Sequence, residues 1–190
     1  MSAHSGVSPG GGPAPVSPDG GLARTIALVG LMGAGKSTVG RKLAESLNSP
    51  FVDSDEEIEK AAGLSVQEIF DKLGEPEFRR GERRVIERLL NGPPIVLATG
   101  GGAFMDATTR ALMKDKAITV WLRADLDVLW KRVNRRDTRP LLKRANPRQV
   151  LADLEAARAP IYAEADIVVD SGDGPAADAV RAIREALGFQ

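Results

Sequence analysis

The tightest constraint in this chain is Gly30-Leu31-Met32-Gly33-Ala34-Gly35-Lys36-Ser37-Thr38, read together with its flanks. Before it stands Thr25-Ile26-Ala27-Leu28-Val29, a short apolar run of the kind buried in a parallel sheet. After it, the stretch from Ser37 to Leu47 places Val39, Leu43 and Leu47 on one helical face. Strand, glycine loop and helix therefore follow one another without a break. The loop fits G-x-x-x-x-G-K-[ST], in which glycines let the backbone curl until its N–H groups point inward at phosphate oxygens. The helix adds the positive end of its dipole. Lys36 would reach the β- and γ-phosphates of a nucleoside triphosphate, and the Ser37 hydroxyl would ligate Mg²⁺. A glycine turn with an incidental lysine would need neither the strand before it nor the helix after it.

Composition removes several alternatives. With 190 residues, 43% of them hydrophobic, the chain supports one domain with a real core. Lys+Arg and Asp+Glu are both 26, so binding of nucleic acid through bulk positive charge is disfavoured. No segment reaches the roughly 18 apolar residues of a membrane span, nor is there a signal-peptide stretch. The absence of cysteine excludes disulfides, thiolate metal sites and a cysteine nucleophile, and it fits a reducing compartment. The single histidine, His4, lies in a Gly/Pro/Ser-rich segment, which leaves carboxylates as the candidate bases. The expectation is a cytoplasmic monomer with a small-molecule substrate, and neither nucleic acid nor membrane as partner.

Residues 1–23 bury too little surface to offset the entropy of ordering them and read as a flexible tail. From residue 24 to residue 190, strand and helix patterns alternate as one domain, the mark of a parallel sheet covered on both faces. Phe51-Val52-Asp53 is a second strand, followed by a helix to Ala62 that Gly63 ends. Ser65-Val66-Gln67-Glu68 has capping-box spacing and opens a helix that stops at Gly74. Pro76 suits the first turn of an Arg/Glu-rich helix running to Leu90. Ile95 to Ala98 and Ala117 to Leu122 are further strands, with a helix from Asp106 between them. A helix from Asp125 to Arg135 precedes a polar stretch, and a second helix behind that stretch reaches Glu164. Asp166 to Val169 is a fifth strand, and Pro175 to Leu187 a closing amphipathic helix.

In such a sheet every strand ends at one edge, and ligands bind beyond those ends. Four polar elements fall there: the phosphate loop, Asp53-Ser54-Asp55, Thr99-Gly100-Gly101-Gly102, and the arginine-rich region after strand four. If strand two continues far enough, Asp53 and Asp55 point to one side, where one supports Mg²⁺ and the other takes a hydroxyl proton. The alternative is that both merely serve the start of the next helix. Three successive glycines carry an entropy cost that implies close approach to bare backbone, with a substrate or the transferring phosphoryl group as the natural candidate and a tight structural turn as the alternative. Arg79, Arg80, Arg83 and Arg84 read mostly as a solvated face with helix ion pairs. Arg139, beside Pro140, suits a lid closing on phosphates, and Arg158 sits at a break expected at Pro160.

These motifs together resemble the shikimate kinase family. The loop, the Asp-Ser-Asp triplet, Phe78-Arg79-Arg80, Gly100-Gly101-Gly102, Arg139-Pro140-Leu141-Leu142 and Arg158-Ala159-Pro160-x-Tyr162 occur in that family's order and spacing, over roughly residues 24–170. The resemblance implies an α/β fold of the P-loop kinase type, three layers α/β/α around a five-stranded parallel sheet ordered 2-3-1-4-5, with a mobile lid. It implies ATP-dependent phosphorylation of the shikimate 3-hydroxyl, on the route to chorismate and aromatic amino acids. Gly33, Ala34, Gly35, Lys36, Ser37 and Thr38 would then bind ATP, with Arg132 against the adenine and Arg139 from the lid. Ser37 and Asp53 would serve Mg²⁺. Asp55 would be the base, with Lys36 and Arg139 as its catalytic companions. Arg79 and Arg158 would hold the carboxylate, and Gly100, Gly101 and Gly102 would line that pocket. A kinase for another hydroxy acid such as gluconate, or a silent nucleotide-binding module on the same scaffold, are the competing readings.

Overall fold

Ile26, Ala27, Leu28 and Val29 are fully buried, which puts β1 (Thr25–Val29) in the middle of the sheet with both faces covered. The computed structural model describes residues 21–135 and 145–189. Its strands are β1, β2 (Phe51–Asp53), β3 (Val96–Ala98), β4 (Ala117–Arg123) and β5 (Ile167–Asp170). They lie in the order β2-β3-β1-β4-β5, all parallel. Eight α-helices supply the crossovers among the described residues: α1 (Lys36–Ser46), α2 (Ser54–Ala62), α3 (Val66–Leu73), α4 (Glu75–Leu90), α5 (Ala107–Lys116), α6 (Leu126–Asn134), α7 (Pro147–Tyr162) and α8 (Ala176–Ala186). A 3₁₀ turn at Ala103–Met105 precedes α5. No helix among the described residues is long and apolar enough to cross a membrane.

Register fixes where the loops emerge. Asp53 pairs with Ala98, Leu28 pairs with Ala98 and Val120, and Arg123 pairs with Asp170. The strand ends are thus nearly level, and the segments after β1, β2, β3 and β5 leave along one rim. Two apolar clusters stand behind that rim. The large one holds both sheet faces; the small one is built from Ile58, Ile69, Phe78 and Val85 of α2, α3 and α4.

Several local expectations need correction. Strand two ends at Asp53, and Ser54 already begins α2, so Asp55 belongs to a helix rather than to a continued strand. Asp53 is the N-cap of that helix and accepts a hydrogen bond from the Asp55 amide at 3.0 Å. Pro160 does not end α7 at once: the helix continues to Tyr162, two residues past a proline that cannot donate to Ala156. Leu22, assigned to the tail, is buried and joins the large cluster. Arg83 reaches away from its own helix to Asp106 at 2.7 Å, tying α4 to the cap of α5. The capping box at Ser65 and Glu68 forms as its spacing predicts. Residues 1–20 and the lid stretch carrying Arg139 lie outside the described residues.

Candidate active site

A cleft of about 680 Å³ opens along the rim, lined by Lys36, Ser37, Asp53, Asp55, Gly100, Gly101 and Arg132, among others. The phosphate loop forms its floor. Gly33 and Gly35 have φ of 84° and 92°, conformations that only glycine adopts readily. Gly35 is the N-cap of α1, and no side chain caps its leading amides. That leaves several N–H groups at the positive end of the helix for an anion. Lys36 curls back over the loop, donating from Nζ to the carbonyls of Gly30 at 2.8 Å and Leu31 at 3.0 Å.

Ser37 Oγ donates to Asp53 Oδ2 at 2.7 Å, so a hydroxyl and a carboxylate meet at the foot of the loop. Both are hard oxygen donors of the type Mg²⁺ prefers. Among the described residues no three His, Cys, Asp or Glu side chains form a metal cage by themselves. A pair completed by phosphate oxygens and water is what remains, which suits an ion carried in with a nucleotide.

Farther along the cleft the chemistry changes. Asp55 Oδ1 is buried and has no hydrogen-bond partner. Burial, then the charge of Asp53, pushes its carboxyl above the usual range, while Lys36 pulls the other way. Asp55 and Lys36 therefore face the same space. Glu82, 3% exposed, also has one unpartnered buried oxygen, and burial raises its pKa as well. Its other oxygen accepts from Arg79 Nη1 at 2.7 Å, and Arg79 also reaches Glu75 at 3.4 Å. Arg158 Nη1 donates to the Gly101 carbonyl at 3.1 Å, as does the hydroxyl of Tyr162. Burial pushes that phenol up to about 12, so it stays a donor. Ser54 Oγ accepts from the Gly100 amide at 3.2 Å, joining the start of α2 to the glycine run.

Of the expected residues in the described part, Gly33, Gly35, Lys36, Ser37, Thr38, Asp53, Asp55, Gly100, Gly101 and Arg132 line the cleft; Ala34 and Gly102 do not, and Arg79 and Arg158 pack behind the glycine run. Arg132 bridges the loop carbonyls of Gly33 and Ala34 to Ser171 Oγ at 3.1 Å, and also donates to Gly172. Thr38 is exposed, at the outer side of the loop. Three features carried no expectation. Glu82 was hidden among exposed arginines, although its place one turn from Phe78 and Ile86 puts it on the buried face of α4. Tyr162 enters the sequence reading only as the end of the Arg158-Ala159-Pro160-x-Tyr162 motif, with no role of its own. The loop after β5 contributes Ser171, Gly172, Gly174 and Pro175 to the cleft lining, and the rule that flagged the other strand ends applies to it equally.

A strand–loop–helix phosphate cradle beside a carboxylate and two arginines, on a 2-3-1-4-5 sheet, defines a P-loop kinase that acts on a small anionic acceptor. The family model described as "Shikimate kinase" matches residues 32–188. The chain belongs to the shikimate kinase family. It is 59% identical over 165 residues to a shikimate kinase of Caulobacter vibrioides, covering 87% of this chain and 82% of that one. It is 58% identical over 169 residues to one of Paramagnetospirillum magneticum, covering 88% and 87%. Among solved structures, a shikimate kinase of Acinetobacter baumannii in complex with shikimate superposes with a TM-score of 0.82 at 42% identity, over 87% of this chain and 93% of that one. A gluconokinase of Sinorhizobium meliloti, at 22% identity and a TM-score of 0.60, shares the fold alone.

Proposed function

We infer that this chain transfers the γ-phosphoryl group of ATP to the 3-hydroxyl of shikimate, giving shikimate 3-phosphate and ADP on the route to aromatic amino acids. The observation that carries this reading is a single cleft that holds a phosphate cradle at one end and an unpartnered, half-buried carboxylate at the other. The loop amides from Gly33 to Thr38 and the Lys36 ammonium take the triphosphate, and Arg132 borders the space for the base. Ser37 and Asp53 would hold Mg²⁺, which would supply charge neutralisation for the triphosphate.

Asp55 accepts the proton of the 3-hydroxyl through Oδ1, whose lack of any partner leaves it open to a donor. Its raised pKa, caused by burial and the neighbouring Asp53 charge, makes it a better base than an ordinary carboxylate. Arg79 and Arg158 grip the acceptor's carboxylate, and the backbone of Gly100, Gly101 and Gly102 lines the space between them. Positioning and cations supply most of the barrier reduction, as phosphoryl transfer asks little covalent chemistry of the protein. Arg139 lies outside the described residues; its lid role rests on the sequence. The same holds for the tail, and we read the catalytic domain as starting near Leu22. We place the protein in the cytoplasm as a monomer; the cysteine-free chain fits a reducing compartment and does not bear on oligomeric state.

The test is ADP release measured with shikimate as acceptor, with and without Mg²⁺. Turnover with shikimate that needs the metal is the expected result. Turnover with gluconate and none with shikimate overturns the assignment of the acceptor.

A further inference from the structure

The glycines after β3 are pressed against charged side chains of the chain itself. A methyl carbon on Gly102 would lie 2.5 Å from Nη1 and 2.6 Å from Cζ of Arg79, and nearer still to Nη2. One on Gly100 would lie 2.9 Å from both Asp55 Oδ1 and Glu82 Oε1, the two unpartnered oxygens of the site. Gly101 differs, since its nearest neighbours, Met32 N and Gly30 O, would be 3.5 and 3.6 Å away, ordinary contact. Backbone conformation does not demand glycine at 102: φ of −99° and ψ of −11° are open to residues with a side chain. What demands it is the guanidinium lying against its Cα.

We propose that Gly102 is a positioning residue, whose missing side chain is the slot that seats Arg79. This deepens the functional reading and rests on its assignment of Arg79 to the acceptor's carboxylate. Beside the Glu75 carboxylate at 3.4 Å, three restraints then fix the guanidinium: the Glu82 carboxylate at 2.7 Å, the Phe78 ring, whose centroid is 5.1 Å from Cζ, and the bare Cα of Gly102. Removing the third lets the group swing outward, because it is the far end of a long side chain that is 30% exposed. The fold survives that movement; the grip on the acceptor does not. Gly100 repeats the arrangement on the carboxylate side, so the glycine run acts through side chains on two of its three members.

The experiment is a double-mutant cycle of Gly102→Ala and Arg79→Ala, read as KM for shikimate, KM for ATP and kcat, with melting temperature as the folding control. Gly102→Ala alone is expected to raise the shikimate KM about tenfold, the size of one lost charged hydrogen bond, with the ATP KM changed less than about twofold. In the Arg79→Ala background the same change should add less than about twofold, because no guanidinium remains to be displaced. Equal increases in both backgrounds overturn the slot and leave the assignment of Arg79 standing. An Arg79→Ala enzyme with an unchanged shikimate KM overturns that assignment and the slot with it. If Gly102→Ala alone fails to fold, a folded double mutant supports the slot, and failure of both overturns it.

Discussion

The two ends of the cleft are built on different foundations. The nucleotide end hangs from the sheet: β1 is fully buried, and Ser171 Oγ donates to the Ala34 carbonyl at 2.8 Å, pinning the loop from the far side. It holds its ligand largely with backbone. The acceptor end hangs from α2 and α4, which rest on the small cluster of Ile58, Ile69, Phe78 and Val85. It holds its ligand with side chains, and two of their buried oxygens have no partner. On the functional reading proposed above, a triphosphate would meet backbone amides and an acid would meet long side chains over the small cluster. The difference teaches that catalytic chemistry here sits on the less anchored half.

The largest effect should come from the carboxylate itself. Asp55→Asn keeps the shape and removes the base, so kcat is expected to fall by about 10²–10⁴. ATP affinity should change little, because the loop does not depend on α2. Steady-state kinetics with a separate nucleotide-binding titration checks both halves. Near-normal turnover would remove Asp55 from the base role.

The foundations themselves are tested next. Phe78 is 4% exposed and packs on Phe70 with ring centroids 4.5 Å apart. Phe78→Ala should cost about 3–5 kcal/mol, but the loss should be local. Amide exchange is expected to accelerate in α3 and α4 while β1 and β4 stay protected. Uniform acceleration would mean that the two ends share one foundation, and the contrast drawn above would be lost.

That contrast also decides what was legible in the sequence. The nucleotide end is local: strand, glycines, lysine and helix are contiguous, and the glycine spacing encodes the conformation at Gly33 and Gly35 directly. The sheet order followed from the family likeness, and the element boundaries from caps such as Ser65 and Asp106. The acceptor end is assembled across distance. Glu82 looked like one more charge on an exposed helix, because what buries it comes from α2 and from the glycines after β3. For Asp55, strand alternation predicts the wrong local geometry, because an N-cap and a first helical turn do the positioning. Gly102 was read as open to a ligand, and the guanidinium that fills its space came from another helix. Patterns report local geometry, and only the fold reports which distant side chains share a space.

Arg79 sharpens the comparison at intermediate size. Arg79→Ala removes a charged bidentate partner, so the shikimate KM should rise about 10- to 100-fold, the range of charged hydrogen bonds. ATP binding should remain close to normal. Loss of nucleotide binding instead would show that the two ends are not separable, and would place Arg79 at the phosphates.

The smallest effect concerns stability, and its sign runs against the usual outcome of a substitution in a buried site. Burial raises the pKa of Asp55 above its ordinary value of 3.8. The folded chain therefore binds more protons than the unfolded one between that value and the raised one, and stability falls as pH rises through this window. Above it the ionised carboxylate is held at a cost that asparagine does not bear. Asp55→Asn should thus melt higher than the unsubstituted protein at neutral pH. Below the ordinary carboxylate value both chains carry a neutral group at that position, and the difference should vanish. Melting curves of the two proteins between acidic and neutral pH measure it directly. An Asp55→Asn chain that melts lower at neutral pH would mean that Lys36 and Arg79 more than compensate the burial. The acceptor end would then be as well anchored as the nucleotide end, with its base stabilised rather than strained.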